Sequence, residues 1–304
     1  MLRHVLLHLS HQRWLRRQME NSSFFRGLTS RFVAGRTLAD GIRVLSHLKA
    51  EGIWGTLDCL GENVTSLDEA AQSRDSYLAA LAAIAEAKLP ATVSIKLTQF
   101  GLDFSEEACL RNVAALAERA QALGSRVEID MESAAYTDRT LAVAARLQER
   151  FPGHLRAVIQ AYLHRSEADI QRLNKLQIPV RLCKGAYEEP PDVAFPEKAD
   201  VDRNYLRLTQ LLFKEGTYPA IASHDERMTT AACDYAAAHN VPPEAFEFQM
   251  LYGIRRALQR RLVKAGYRVR LYVPYGSAWY PYFMRRLAER PANLLFFAKN
   301  IMRD

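Results

Sequence analysis

The chain has 304 residues, 49% of them hydrophobic and 25% charged, with Lys+Arg 41 against Asp+Glu 34 for a net charge of +7. That length supports one large core and the composition is ordinary for a soluble globular protein, while the absence of 18 consecutive apolar residues excludes a membrane-spanning helix. The basic excess fits nucleic-acid contact, membrane contact or simple solubility, and the four scattered cysteines (Cys59, Cys109, Cys183, Cys233) exclude a disulfide or zinc framework, reading as thiols of a reducing compartment.

Residues 1–19 hold Arg3, Arg13, Arg16 and Arg17 together with His4, His8 and His11, and no acid precedes Glu20. Leu2, Val5, Leu6 and Leu9 recur at helical spacing. Charge interrupts the apolar positions and no small-residue cleavage site follows, so this is not a secretory signal. A basic amphipathic helix either lies on an anionic bilayer surface or packs on the outside of the domain. Residues 1–50 are expected to be a wholly helical segment packed on the domain that follows, 51–304.

From there the chain alternates strand and helix. Candidate strands are Ile53–Leu60, Ala91–Leu97, Arg126–Met131, Arg156–Tyr162, Ile178–Lys184, Tyr218–Ser223, Phe246–Leu251 and Arg268–Val273. Each is followed by a helical pattern: Leu67–Lys88, Glu106–Leu123, Thr137–Arg150, Glu167–Leu176, Asp202–Glu215, Met228–His239, Ile254–Ala265 and Trp279–Glu289. Ser105, Ser166 and Asp200 stand where N-caps are expected, and Gly124 and Gly266 where helices should stop. Eight such units predict an α/β (β/α)8 barrel. The rival doubly wound sheet usually carries G-x-G-x-x-G after its first strand, and none occurs here.

Barrel enzymes build their sites at the C-terminal ends of strands. Those ends supply Asp58 with Glu62 beyond it, Lys96, Asp130 with Glu132, Gln160, Arg181 with Lys184, His224 with Asp225, Gln249, and Tyr272. Polar groups arriving just where apolar sequence stops favour an enzyme over a purely structural barrel. In the last helix Tyr282, Arg285, Arg286 and Glu289 share one face, either a solvated basic face or a guanidinium fork for one carboxylate ligand. With Lys96, Arg181, Lys184 and His224 they make a mouth that prefers anions. His224–Asp225 is the only compact metal-ligand pair, and no resident metal is expected. Lys96 could instead serve as a Schiff-base nucleophile. Lys184-Gly-Ala-Tyr187 either brings backbone N–H groups close to a phosphate or planar ring, or is a plain turn. A non-enzymatic basic barrel that binds membrane or nucleic acid is the remaining alternative.

The strings VSIKLTQFG (93–101), EIDMES (128–133), VIQAYLHRSEADI (158–170), VRLCKGAYEEP (180–190), ASHDER (222–227), FEFQMLYG (246–253) and YVPYGSAWYPYFMRRLAERPANL (272–294) closely resemble proline dehydrogenase, in its single-function bacterial form. The likeness spans about residues 32–298, in order over all eight strands. It implies a distorted FAD-dependent (β/α)8 barrel that oxidises L-proline to Δ1-pyrroline-5-carboxylate and passes electrons to a membrane quinone.

Carried over by position, the resemblance assigns Arg285 and Arg286 to the proline carboxylate with Lys96 assisting, and Tyr272 and Tyr282 to the substrate pocket. Asp130 would hydrogen-bond near the substrate and orient Lys96 or the arginines. Arg181 would lie by the flavin N5 edge, Gln160 by the pyrimidine side and Met131 beside the ring. Lys184, Gly185 and Ala186 match the loop that cradles the cofactor. Ser223 and His224 match its phosphate and ribose contacts, and Gln249 and Leu251 positions beside the isoalloxazine or adenine-ribose. Two departures stand out: Glu188 replaces a tryptophan of the fused bifunctional relatives, and the Tyr272–Arg285 spacing is shorter than theirs. With no aldehyde dehydrogenase domain after Asp304, the product would pass to a separate pyrroline-5-carboxylate/glutamate semialdehyde dehydrogenase. A cytoplasmic enzyme, peripheral on the inner face of the cell membrane and without a nucleic-acid partner, is the resulting expectation.

Overall fold

The computed structural model describes residues 31–61, 64–280, 282 and 284. Strand alternation decides its architecture. Val93, Ile95, Val127, Ile129, Ile159, Leu182, Ile221, Phe248, Val269 and Leu271 are buried apolar residues alternating with buried polar ones such as Ser94, Glu128, Arg181, Glu247 and Arg270. The polar set hydrogen-bonds across the interior, so the apolar set must face outward, where helices cover it.

The strands are β1 (Trp54–Cys59), β2 (Ala91–Ile95), β3 (Val127–Ile129), β4 (Leu155–Gln160), β5 (Val180–Cys183), β6 (Ala220–Ala222), β7 (Glu247–Leu251) and β8 (Val269–Tyr275). They pair in parallel, in chain order, and close through β8 onto β1 from Trp54↔Arg270 to Cys59↔Tyr275. The predicted barrel is therefore the observed fold. Between strands run α2 (Leu67–Glu86), α3 (Glu106–Ala122), α4 (Thr137–Arg150), α5 (Ser166–Lys175), α6 (Lys198–Glu215), α7 (Glu226–Ala238) and α8 (Arg256–Lys264), preceded by α1 (Leu38–Ala50). α3 shows how helix faces match the sheet: Cys109, Asn112, Val113, Leu116, Ala117 and Ala120 are buried, three or four apart. Each large aliphatic side chain so buried contributes roughly 1.5–3 kcal/mol.

Three expectations are corrected. Residues 31–37 are not helical: the Ala34 N–H bonds to the Pro274 carbonyl at 2.8 Å and the Gly276 N–H to Gly35 at 2.9 Å, so the segment follows the end of β8. Helix begins only at Leu38, where Thr37 and Asp40 form a reciprocal capping box. Ser166 lies inside α5 and gives its hydroxyl to the Gln160 carbonyl at 2.5 Å instead of capping. Asp200 lies inside α6, whose N-cap is Glu197, and pairs with Arg203. Ser105 does cap α3, and Gly124 and Gly266 take left-handed φ values of 61° and 87° just past α3 and α8. Gly55 lets α1 rest on β1, since a Cβ there would stand 2.0 Å from Leu45 Cδ2. No helix among the described residues is long and apolar enough to cross a membrane.

Candidate active site

Four side chains from separate strands meet at the C-terminal mouth. Asp130, one residue past β3, is their hub. Its Oδ1 accepts from Arg181 Nη1 at 2.6 Å and from Ser94 Oγ at 2.8 Å, and its Oδ2 accepts from the Tyr272 hydroxyl at 2.8 Å. Lys96 Nζ stands 3.6 Å from the same Oδ2, donates to Tyr272 Oη at 3.3 Å, and lies 3.5 Å from buried Asp58. The Arg181 guanidinium also stacks 5.6 Å from the centre of the Tyr272 ring, a cation–π contact. Burial, with Asp130 and Asp58 nearby, pushes the Tyr272 phenol well above the ordinary tyrosine range, so it remains a hydrogen-bond donor at every relevant pH.

Below this hub the barrel is filled by ions where apolar layers are usual. Arg156 Nη1 reaches Glu247 at 2.6 Å and Glu128 at 3.3 Å, while Arg270 grips Glu247 with Nε at 2.8 Å and Nη2 at 3.1 Å. Arg181 Nη2 closes the network onto Glu128. Glu128 and Glu247 are fully buried, and burial alone would favour their neutral forms. The facing arginines outweigh it and hold both carboxyls well below the usual range. For Arg181 burial opposes the charge, and Glu128 and Asp130 restore it beyond the ordinary arginine value.

The positions linked to a cofactor by resemblance lie at or near the C-terminal ends of β3 to β7. Gln160 is buried and donates Nε2 to the Glu132 carbonyl at 2.9 Å, and Met131 is buried next to Asp130. His224 Nε2 accepts the Leu251 N–H at 2.8 Å, which joins the ends of β6 and β7 and makes that nitrogen an acceptor. Ser223 Oγ accepts the Asp225 N–H at 3.1 Å. Lys184 is held by Asp202 at 2.5 Å and Asp225 at 2.9 Å, so its charge is already compensated. Gln249 sits one layer down, its amide nitrogen given to Glu247 at 2.6 Å and Glu128 at 3.1 Å. Gly185 and Ala186 are exposed.

Gly185 has φ of 116°, and a Cβ there would come within 2.1 Å of the Tyr162 ring. The loop backbone thus lies directly on an aromatic face. Gly185→Ala is expected to cost about 1–3 kcal/mol through backbone strain and displacement of Tyr162, read as a lower urea midpoint.

Comparison with known proteins decides what this assembly belongs to. A family model described as proline dehydrogenase matches residues 42–299. Proline dehydrogenase 1 of Bacillus subtilis (strain 168) is 42% identical over 303 residues, 100% of both chains. The chain belongs to the proline dehydrogenase family. The Deinococcus radiodurans proline dehydrogenase is 40% identical over 280 residues, covering 91% of this chain and 90% of that one. Among solved structures, proline utilization A from Bdellovibrio bacteriovorus, inactivated by N-propargylglycine, superposes with a TM-score of 0.82 at 28% identity. That likeness covers 87% of this chain but 33% of the other, so this chain spans about a third of its length. Family membership makes the chain a proline-oxidising enzyme of proline catabolism.

Within this proline dehydrogenase barrel, Lys96, Asp130, Arg181 and Tyr272 converge as one cluster. Tyr282 is described and buried; Glu62, Arg285, Arg286, Glu289 and the 1–19 segment lie outside the described residues. Glu132 turns away from the hub to accept from the Thr98 N–H at 3.2 Å and hydroxyl at 2.8 Å, fixing the turn after β2. The strand-end reading overlooked Ser94, Glu128 and Tyr77, whose hydroxyl reaches Asp58 at 3.3 Å. Ser94 and Glu128 precede the strand ends, and only the inward alternation with Lys96 and Asp130 could have found them.

Proposed function

We propose that this enzyme oxidises L-proline to Δ1-pyrroline-5-carboxylate with FAD held at the barrel mouth, and that a membrane quinone reoxidises the cofactor. The observation that carries this reading is Arg181: buried, charged and braced by two carboxylates, with its Nε lacking a hydrogen-bond partner among the described residues. Such an unspent donor fits the N5 edge of a flavin, and the Gly185 backbone on Tyr162 fits a loop that must approach a large ligand closely. FAD, when bound, supplies hydride acceptance.

The chain's own residues supply binding and electrostatics. Arg285 and Arg286 form a planar fork for the substrate carboxylate, with the Lys96 ammonium assisting. Asp130 faces the substrate, locked by Ser94, Arg181 and Tyr272 so that it cannot turn away. Tyr272 and Tyr282 wall the pocket, and Arg181 steadies negative charge that develops on the acceptor side. Met131, Gln160, Lys184, Gly185, Ala186, Ser223, His224, Gln249 and Leu251 line the cofactor site. The product leaves for a separate pyrroline-5-carboxylate dehydrogenase, and the basic 1–19 segment gives peripheral contact with the quinone-bearing membrane. A Schiff-base aldolase is less well served: Lys96 Nζ is an ion-pair partner, 3.5 Å from Asp58 and 3.6 Å from Asp130, and donates to Tyr272 Oη at 3.3 Å, where a nucleophilic lysine is usually placed in an apolar pocket or beside another cation.

Denaturing the purified protein should release intact FAD into the supernatant, and proline should bleach the bound flavin beforehand. FMN alone, or no flavin, would overturn the cofactor assignment. Arg286→Met should keep flavin yet raise KM for proline steeply, because breaking a desolvated charge pair costs roughly 2–5 kcal/mol, about thirtyfold to several thousandfold in kcat/KM. A wild-type KM would sink the carboxylate fork.

A further inference from the structure

Glu128 lies in the middle of β3, fully buried, two residues before Asp130 and on the same inward side. The two carboxylates hold opposite nitrogens of one guanidinium. Arg181 Nη1 donates to Asp130 and Nη2 to Glu128, and both also reach Ser94 Oγ, at 3.3 and 3.2 Å. Those contacts occupy the Nη protons and leave the Nε–H without a hydrogen-bond partner among the described residues. A guanidinium is a rigid planar fork, so pinning both Nη groups fixes its plane and decides which edge stays available. Asp130 alone would pin one corner and let the plane swing.

Glu128 is itself fixed. Thr92 donates to its Oε1 at 2.9 Å, Arg156 at 3.3 Å, and Gln249 donates to Oε2 at 3.1 Å. It is therefore a rigid post under a residue of the mouth, and its charge subtracts from the positive potential that Arg181 presents there.

We propose that Glu128 is a positioning residue for proline oxidation, locking Arg181 with only its Nε edge free for the cofactor and setting how much positive charge that edge delivers. The proposal rests on the reading above that Arg181 borders the flavin. Glu128→Gln keeps the side-chain shape and one acceptor oxygen but removes the negative charge. An excess of positive charge beside the ring then stabilises its reduced form, so the flavin midpoint potential should rise.

The test is a spectroelectrochemical titration of the flavin in Glu128→Gln, alongside steady-state kinetics with proline and a quinone analogue. A shift of at least tenfold in the oxidised/reduced equilibrium is expected, which is about 30 mV for a two-electron couple. The misaimed guanidinium should lower kcat at least tenfold while KM for proline stays within twofold, because the substrate carboxylate is bound elsewhere. Because Glu128→Gln leaves the buried layer one negative charge short, the double variant Glu128→Gln/Arg156→Met is measured as well, with the formal charge of the layer restored. If Glu128 acts through Arg181, the double variant folds and keeps the lowered kcat, because nothing replaces the carboxylate on Arg181 Nη2, while its potential moves only part of the way back, Arg156 lying farther from the mouth than Glu128's bond to Arg181. A return of both to wild-type values means Glu128 only balances charge, and overturns the proposal. So does a wild-type potential in the single variant, or failure of both variants to retain flavin. Absence of flavin from the wild-type protein would instead overturn the underlying cofactor reading.

Discussion

Arg181→Met should abolish measurable proline turnover and destabilise the fold by about 3–5 kcal/mol, the range for breaking one side of a buried ion pair. Arg181 is 6% exposed and its partners are two residues apart, Glu128 within β3 and Asp130 just past it. Methionine fills similar volume but leaves both carboxylates facing one another with one cation fewer. Glu128 retains Arg156, Thr92 and Gln249; Asp130 retains Lys96, Ser94 and Tyr272. The remaining partners keep the loss within that range. Activity should fall much further, by at least 10²–10³ in kcat, if Arg181 borders the cofactor as proposed above, since a preorganised charge is then removed from the accepting side. Arg181→Lys should recover part of the stability and little of the rate, because one ammonium cannot span both carboxylates as a fork. Urea midpoints at constant m-value give the first quantity and rapid-mixing flavin reduction by proline the second. A variant within 1 kcal/mol of wild type that still reduces at normal speed would remove Arg181 from both roles.

Part of the mouth was legible because strands end where apolar runs end: Lys96 and Asp130 stand one residue past β2 and β3, whereas β8 continues three residues beyond Tyr272, which was found only because its strand was read as ending at Val273. The ionic filling below it was not. An inward position in a barrel and a solvent-facing position in a one-sided sheet share the same period of two, so Arg156, Glu247 and Arg270 look like ordinary polar alternation. Only closure of β8 onto β1 turns that face into an interior. Helix starts failed for a related reason. Ser166 and Asp200 have good capping chemistry, but the Gln160 carbonyl six residues back claims the Ser166 hydroxyl, and Asp200 instead forms an i,i+3 pair with Arg203 inside a helix that starts earlier, at Lys198. Residues 31–37 carry no strand signal of their own; at Ala34 and Gly35 their course is set by hydrogen bonds to the end of β8.

The buried layer also sets the acid response of the whole barrel. In the folded protein Glu128 and Glu247 ionise well below their unfolded values, since Arg181, Arg156 and Arg270 outweigh the burial that opposes ionisation. A depressed carboxylate pKa contributes stability that is fully present above the unfolded value, near pH 4.5, and is lost as pH falls toward the folded value, about 2 for Glu128. Wild-type stability should therefore drop between about pH 4.5 and 2. Arg156 and Arg270 both touch both glutamates, and Arg156→Met removes the one that depresses Glu247 most. At pH 7 the variant should be about 3–5 kcal/mol less stable, with two buried carboxylates undercompensated. On acidification its glutamates take up protons at higher pH than in the wild type, which relieves the buried charge just where the wild type begins to lose its advantage. The stability gap between the two proteins should accordingly narrow from pH 7 to pH 4. Urea unfolding followed by circular dichroism at pH 7, 5 and 4 measures it. A gap that stays constant would mean Arg156 serves as packing alone, and that the charges of Glu128 and Glu247 rest on Arg181 and Arg270.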